Sequence, residues 1–214
     1  MLDSIAIPKR ARRTQADRRA ATRTAVLDAT IDCLAEEGYA RTTTRRIAER
    51  AGVTPGALQH HFATRAELLG QARRHLGSQV ASEVLDDGLA DIPSLQLRIE
   101  RQLDRWWDLL TGPRFAAIVE LWVAARTDVE LRKQLVEAER DGARLAASAT
   151  DIVYPELTGQ PGFAQLISTG RATMRGLAMA RFLDEAEVEQ AWPAMRAHLL
   201  ALIAQFISDA GVSS

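Results

Sequence analysis

The sequence has one cysteine, Cys33, and can therefore form no internal disulfide. Its N-terminus, MLDSIAIPKRARR, has no apolar core followed by a small-residue cleavage site. A cytoplasmic protein without a signal peptide is therefore expected. No apolar run approaches the roughly 18 residues that a membrane span needs, so no membrane partner is expected. Strand signals are scarce. There is no Ser-His-Asp set, Glu-x-x-His pair, Cys-x-x-Cys or glycine-rich phosphate loop, which argues against an enzyme and against any cofactor. Lysine is rare too: the 27 basic residues are 25 Arg and 2 Lys, a bias suggestive of a GC-rich bacterial genome.

What is present is a soluble composition, 47% hydrophobic and 26% charged in 214 residues, with an uneven charge distribution. Residues 1–75 hold 14 Lys or Arg against 8 Asp or Glu, a balance of +6. Residues 76–214 hold 13 against 20, a balance of −7, and the halves recover the net −1. An N-terminal region suited to a polyanion, on a body that is not, follows from that division.

Helical periodicity fills the chain, and the spacing predicts an all-α fold of about nine helices. A flexible basic arm (1–14, with Lys9, Arg10, Arg12 and Arg13) leads into a helix over 15–37, stopped by Gly38. Cys33 falls on its apolar pattern as a small core residue. Thr42-Thr43-Thr44 offers an N-cap for a short helix to Ala51, and Gly52 its stop. Thr54 caps a second short helix over 55–61, with Pro55 at its first position. Thr64 with Glu67 reads as a capping box for a helix over 65–86. Five more helices follow. One opens at Asp91-Ile92-Pro93 and ends at Gly112-Pro113. Another, over 114–126, is apolar nearly all round and is expected to be buried. The last three cover 128–154, 162–182 and 186–208, and Pro193 in the final one suggests a kink or a start near Trp192.

Two short helices joined around Gly52, with Ala48 small at their crossing and Ile47 and Leu58 facing inward, form the pattern of a helix-turn-helix. The second helix would enter the major groove of double-stranded DNA. Gly56 and Ala57 let its N-terminus approach closely, and its free N–H groups favour phosphate. Gln59, His60 and His61 supply hydrogen-bonding groups, and Gln can pair bidentately with adenine. His61 could instead pack locally beside Phe62. Adjacent helical residues diverge by about 100°, so His60 and His61 do not form a metal site.

The segment from Thr24 to Leu69, with EEGY, TT before IAERAGV, TPGAL, HF and RAELL, resembles the DNA-binding domain of the tetracycline-repressor (TetR) family of bacterial regulators. The resemblance covers about a quarter of the chain, and the layout as a whole is also similar. It implies a helix-turn-helix domain over 15–65, a ligand-binding and dimerisation domain over 66–214, and a homodimeric repressor released from a palindromic operator by a small molecule. On matching positions it assigns DNA contacts to Thr43, Thr44, Arg45, Thr54, Pro55, Gly56, Gln59, His60 and His61. Arg65 stands where the family usually has a phosphate-binding Lys. Gln59 replaces a common Tyr, and Ala63 a residue that is often polar.

In the body, the small-residue helix 162–182 and the striped helix 186–208 are expected to build a dimer interface from Gly170, Leu177, Met195, Leu199, Leu202 and Phe206. The alternative is that both pack inside one monomer. Trp106, Phe115, Trp122 and Met174 are candidate walls of a cavity for an apolar or aromatic effector. Glu120 interrupts the apolar run IVELWV and must find a partner or line that cavity. Arg175 is its expected partner, either in a buried pair or in a ligand anchor. A regulator without a small ligand, gated by a protein partner or by abundance, is the rival reading, and a core without a cavity would favour it.

Overall fold

A computed structural model of the chain describes residues 14–86 and 88–212. The basic arm lies outside the described residues except for Thr14. Among the described residues there are nine α-helices and no strand.

Helix α1 (Gln15–Arg41) starts at a reciprocal cap. The Thr14 hydroxyl accepts from Asp17 N–H at 3.1 Å, and the Asp17 carboxylate accepts from Thr14 N–H at 2.9 Å. The expected stop at Gly38 is a break rather than an end. Gly38 adopts φ 75° and ψ 170°, and one more turn runs to Arg41. Helices α2 (Thr44–Ala51), α3 (Pro55–His61) and α4 (Arg65–Asp86) follow the sequence spacing.

Helix α5 (Leu95–Thr111) begins later than expected. Ser94, not the Asp91-Ile92-Pro93 step, supplies the cap, and Leu89–Asp91 form a separate 3-10 turn. Gly112 caps α6 (Pro113–Ala124), with Pro113 at its first position. This helix is not buried all round: Val123 is exposed, while Phe115, Ala117 and Leu121 face inward. Helices α7 (Val129–Val153), α8 (Phe163–Ala180) and α9 (Glu185–Asp209) complete the body. The last begins eight residues before Pro193 and runs through it. Its Trp192 stacks on Trp107 with ring centroids 4.1 Å apart.

One apolar core spans head and body. Val26, Leu34, Ile47, Leu58 and Phe62 of the head pack with Leu68, Leu69 and Ala72 of α4, Leu121 of α6 and Leu131 of α7. Cys33 is fully buried there. The boundary expected between residues 65 and 66 is therefore crossed by continuous packing. Helices α4 and α7 approach closely: a Cβ at Gly70 would lie 2.7 Å from that of Gln134. Ion pairs of Arg73 with Glu139 (2.8 Å) and of Arg74 with Asp141 (2.9 Å) tie the same two helices.

Candidate nucleic-acid interface

The head presents α3 by holding α2 from behind. Ile47 and Ala48 are buried at 0% and 1% exposure, and Leu58 of α3 at 2%. Between them Gly52 takes the left-handed conformation, φ 67° and ψ 31°, which a side chain would strain. The Thr43 hydroxyl caps α2 by accepting from Arg46 N–H at 3.2 Å, and that of Thr54 caps α3 from Ala57 N–H at 3.2 Å.

The outer face of the pair carries exposed Thr43, Thr44, Arg45, Thr54, Pro55, Gly56, Gln59 and His60, with His61 half-buried. Gln59 makes no hydrogen bond or ion pair among the described residues. A Cβ at Gly56 would meet nothing within 4 Å, so no internal packing requires glycine there. Arg45 is paired only loosely with Glu49, at 3.5 Å, and its side chain is 82% exposed. The next two arginines are committed inward to α1: Arg46 to Glu37 at 2.8 Å, and Arg50 to Glu36 at 2.6 Å. The acidic end of α1 thus neutralises two of the three cations of α2. The His60 and His61 rings are 5.9 Å apart and edge-on. No group of three His, Cys, Asp or Glu that could hold a metal occurs among the described residues. Burial, then nearby Arg19, His60 and Arg23, hold the His61 imidazole below its ordinary range.

Arg65 does not point outward as a phosphate ligand would. Its guanidinium donates to the carbonyls of Tyr39 (2.9 Å) and Thr42 (3.1 Å) and lies over the Tyr39 ring at 4.1 Å. It satisfies carbonyls left open where α1 ends. Glu120 also differs from expectation. It neither pairs with Arg175 nor lines the cavity. Its carboxylate accepts from Tyr39 N–H at 2.6 Å, beside the Gly38 break. The Tyr39 hydroxyl donates to Asp128 at 3.2 Å. Tyr39 is therefore the joint at which α4, α6 and the start of α7 hold the end of α1. An aromatic residue directly after a helix-breaking glycine is its only sequence sign.

Below the head, a cavity of about 860 Å³ opens among α4 to α9, lined by Trp106, Phe115, Trp122, Met174 and Arg175 among others. Helix α4 connects the two regions. Its Leu68, Leu69 and Ala72 belong to the head core, while Leu76, Val80 and Val84 face the cavity. The expected dimer stripe turns largely inward. Leu199 is 8% exposed and packs with Leu103 and Met174, while Leu177 and Met195 are half-buried against them. Phe206 is half-buried beside Phe163, with ring centroids 6.0 Å apart. Gly170 also faces the cavity. Leu202 also borders the cavity but is 58% exposed. The stripe marks the side of α9 that covers its own monomer. The exposed side carries Ala194, Ala197, Ala201 and Ala204.

The family model for bacterial regulatory proteins of the tetR family matches residues 26–72. The HTH-type transcriptional regulator Rv2912c of Mycobacterium tuberculosis is 32% identical over 181 residues, covering 83% of this chain and 92% of that protein. The HTH-type transcriptional repressor AcnR of Corynebacterium efficiens is 29% identical over 185 residues, 79% of this chain and 93% of its own. Among solved structures, a Rhodococcus sp. chain described as a TetR-family transcriptional regulator superposes with a TM-score of 0.66 at 25% identity, covering 86% of this chain and 97% of that one. The multidrug binding protein EbrR, complexed with ethidium, superposes at 0.57 and 24% identity, covering 85% of this chain and 98% of its own. The chain belongs to the TetR family of bacterial regulatory proteins and is a DNA-binding transcriptional regulator.

Proposed function

We propose that the chain is a cytoplasmic homodimeric repressor that binds a palindromic operator through α3 and releases it when a small molecule fills the cavity of the body. The observation that carries the DNA half is the outer face of α3. Gly56 looks onto open space and Gln59 is unbonded among the described residues, as expected for groups reserved for a partner. Thr43, Thr44, Arg45, Thr54, Pro55, Gly56, Gln59, His60 and His61 form the contact set. Arg65 supports it from behind by fixing the turn before α2.

Dimerisation follows from the reach of one head. A single α3 reads a few base pairs, whereas two heads on a two-fold axis read both halves of a palindrome. The alanine face of α9, with exposed Leu202, is the surface assigned to the partner, because small residues permit close helix approach. Repression is the sign favoured by likeness to AcnR. The cavity favours a small ligand over a gate made only of protein or abundance, and EbrR shares this fold in its ethidium complex.

Helix α4 supplies the coupling, since it lies in the head core at one end and lines the cavity at the other. A ligand shifts the dimer between states only by its differential affinity for them. The test is a mobility shift on the DNA upstream of the protein's own gene. A Gln59→Ala, His60→Ala double variant that keeps its fold should lose specific binding. Unchanged specific affinity would remove α3 as the reading helix.

A further inference from the structure

The largely apolar cavity contains two cations that have no counter-ion among the described residues. Arg171 and Arg175 lie one turn apart on α8, on the same side as buried Met174, and both line the cavity. Neither makes a hydrogen bond or ion pair among the described residues, and Nε of Arg171 is buried without a partner. Each guanidinium rests on a tryptophan face: Arg171 on Trp106 at 4.5 Å, and Arg175 on Trp122 at 5.6 Å. The cavity's Glu139 is already engaged, accepting from Arg73 at 2.8 and 2.9 Å and from Trp122 Nε1 at 2.9 Å. Asp151, exposed at the rim, accepts from the Thr158 hydroxyl.

An arginine does not shed its proton to escape burial, so the charge of Arg171 persists. Burial, with Arg175 as a second cation nearby, pushes its guanidinium below the ordinary range. Like charges one turn apart add repulsion. Cation–π contact offsets part of this cost. Arg171 is half-buried with its Nε out of solvent, so leaving that group unpaired carries part of the cost of an unpaired buried charge. The missing component is an anion, and a guanidinium fork matches a two-oxygen head group. Most of the rest of the wall, including Leu76, Val80, Ile99, Leu103 and Phe115, is apolar, with Gln102, Thr150, Thr173 and His198 among its polar members.

We infer that the effector is an amphiphilic anion: an apolar or aromatic body carrying a carboxylate, sulfonate or phosphate head that seats between Arg171 and Arg175. This rests on the reading of the cavity as the effector site. It separates the chain from EbrR, whose bound ethidium is a cation. The sequence sign is slight: two arginines four apart in a helix of small residues.

Three probes applied to the full-length protein separate the possibilities by calorimetry and tryptophan quenching. 8-Anilino-1-naphthalenesulfonate carries the head group, N-phenyl-1-naphthylamine has the same rings without it, and ethidium has the opposite charge. The sulfonate should bind saturably and roughly tenfold or more tighter than the neutral amine, the range for a charge-assisted hydrogen bond in a desolvated site. Arg171→Gln should abolish that preference while leaving the neutral probe's affinity unchanged, and Arg171→Lys should retain much of it. Arg175→Gln provides the same test if Arg171→Gln fails to fold. Equal affinity for sulfonate and amine, or tightest binding of ethidium, overturns the anionic head while leaving the cavity reading intact. A preference that survives both Gln variants, with a weakened dimer, assigns the arginines to a carboxylate of a second copy and also overturns it. No saturable binding of any probe overturns both readings.

Discussion

Arg65→Ala separates two roles that one cation at the start of α4 can play. In the structure the guanidinium donates to Tyr39 O at 2.9 Å and to Thr42 O at 3.1 Å, and stacks at 4.1 Å on Tyr39. Hydrogen bonds to a charged group contribute about 1.5–3 kcal/mol each. An exposed cation–π contact adds about 0.5–1 kcal/mol. Arg65 is half-buried, so solvent competes for its bonds, and neighbouring terms do not add. A loss of roughly 2–3 kcal/mol is expected from these ranges, read by urea denaturation at fixed protein concentration. The second readout is the salt dependence of operator affinity. Each lost phosphate contact makes the slope of log K against log salt shallower by about 0.9. The clamp predicts reduced stability with an unchanged slope. Arg65→Lys should keep the slope and recover less than half of the stability, because an ammonium cannot bridge both carbonyls while stacking. Unchanged stability with a slope shallower by about one unit would show a phosphate ligand and refute the clamp.

Further outcomes follow from the same joint and from the body. Gly38→Ala places a side chain at φ 75° and ψ 170° with its Cβ 3.3 Å from the Glu120 carboxylate, so a loss of about 1–3 kcal/mol is expected in thermal denaturation. A neutral result would mean that the break relaxes freely. Glu120→Leu strands the Tyr39 N–H and should cost about 1–3 kcal/mol, whereas Glu120→Gln, which still accepts, should cost less; equal losses would exclude that hydrogen bond as the cause. Leu199→Glu should unfold the body, because Leu199 is buried in its own monomer. Ala201→Glu, on the exposed side, should instead give folded monomers by light scattering, and a surviving dimer would refute the assigned face. His61 adds a pH dependence. Its depressed folded pKa costs no stability above the ordinary histidine range near 6.5 and increasingly more as pH falls below it. DNA phosphate favours the imidazolium, so operator binding takes up a proton. Affinity should rise as pH is lowered from 8 to 6, and less so in His61→Asn; a flat or falling profile would take His61 off the DNA face.

The head was legible in the sequence because its signals are local. A threonine cap, a left-handed glycine and a proline at N1 each act within a few residues, and α2, α3 and α4 lie where those signals put them. The body was legible in helix number but less so in how its faces are used. Periodicity finds the apolar stripe of α9, yet cannot say whether Leu199 meets its own core or a second chain. That is decided by helices α5 and α8, up to nearly a hundred residues away. Glu120 shows the same limit. A carboxylate in an apolar run announces a buried partner, but the partner is a backbone N–H in the head, which no side-chain pattern encodes. Arg65 was assigned outward because, by resemblance, it stands where the family usually has a phosphate-binding Lys. The open carbonyls at the end of α1 compete for it and win.

The measurement that bears most directly on a ligand-gated DNA-binding regulator is a mobility shift with the purified protein on its own upstream DNA, titrated with an amphiphilic anion that fills the cavity. A specific shift that the compound releases in the wild type and fails to release in Arg171→Gln is expected. A specific shift that no cavity-binding compound moves would contradict the coupling of cavity to head through α4.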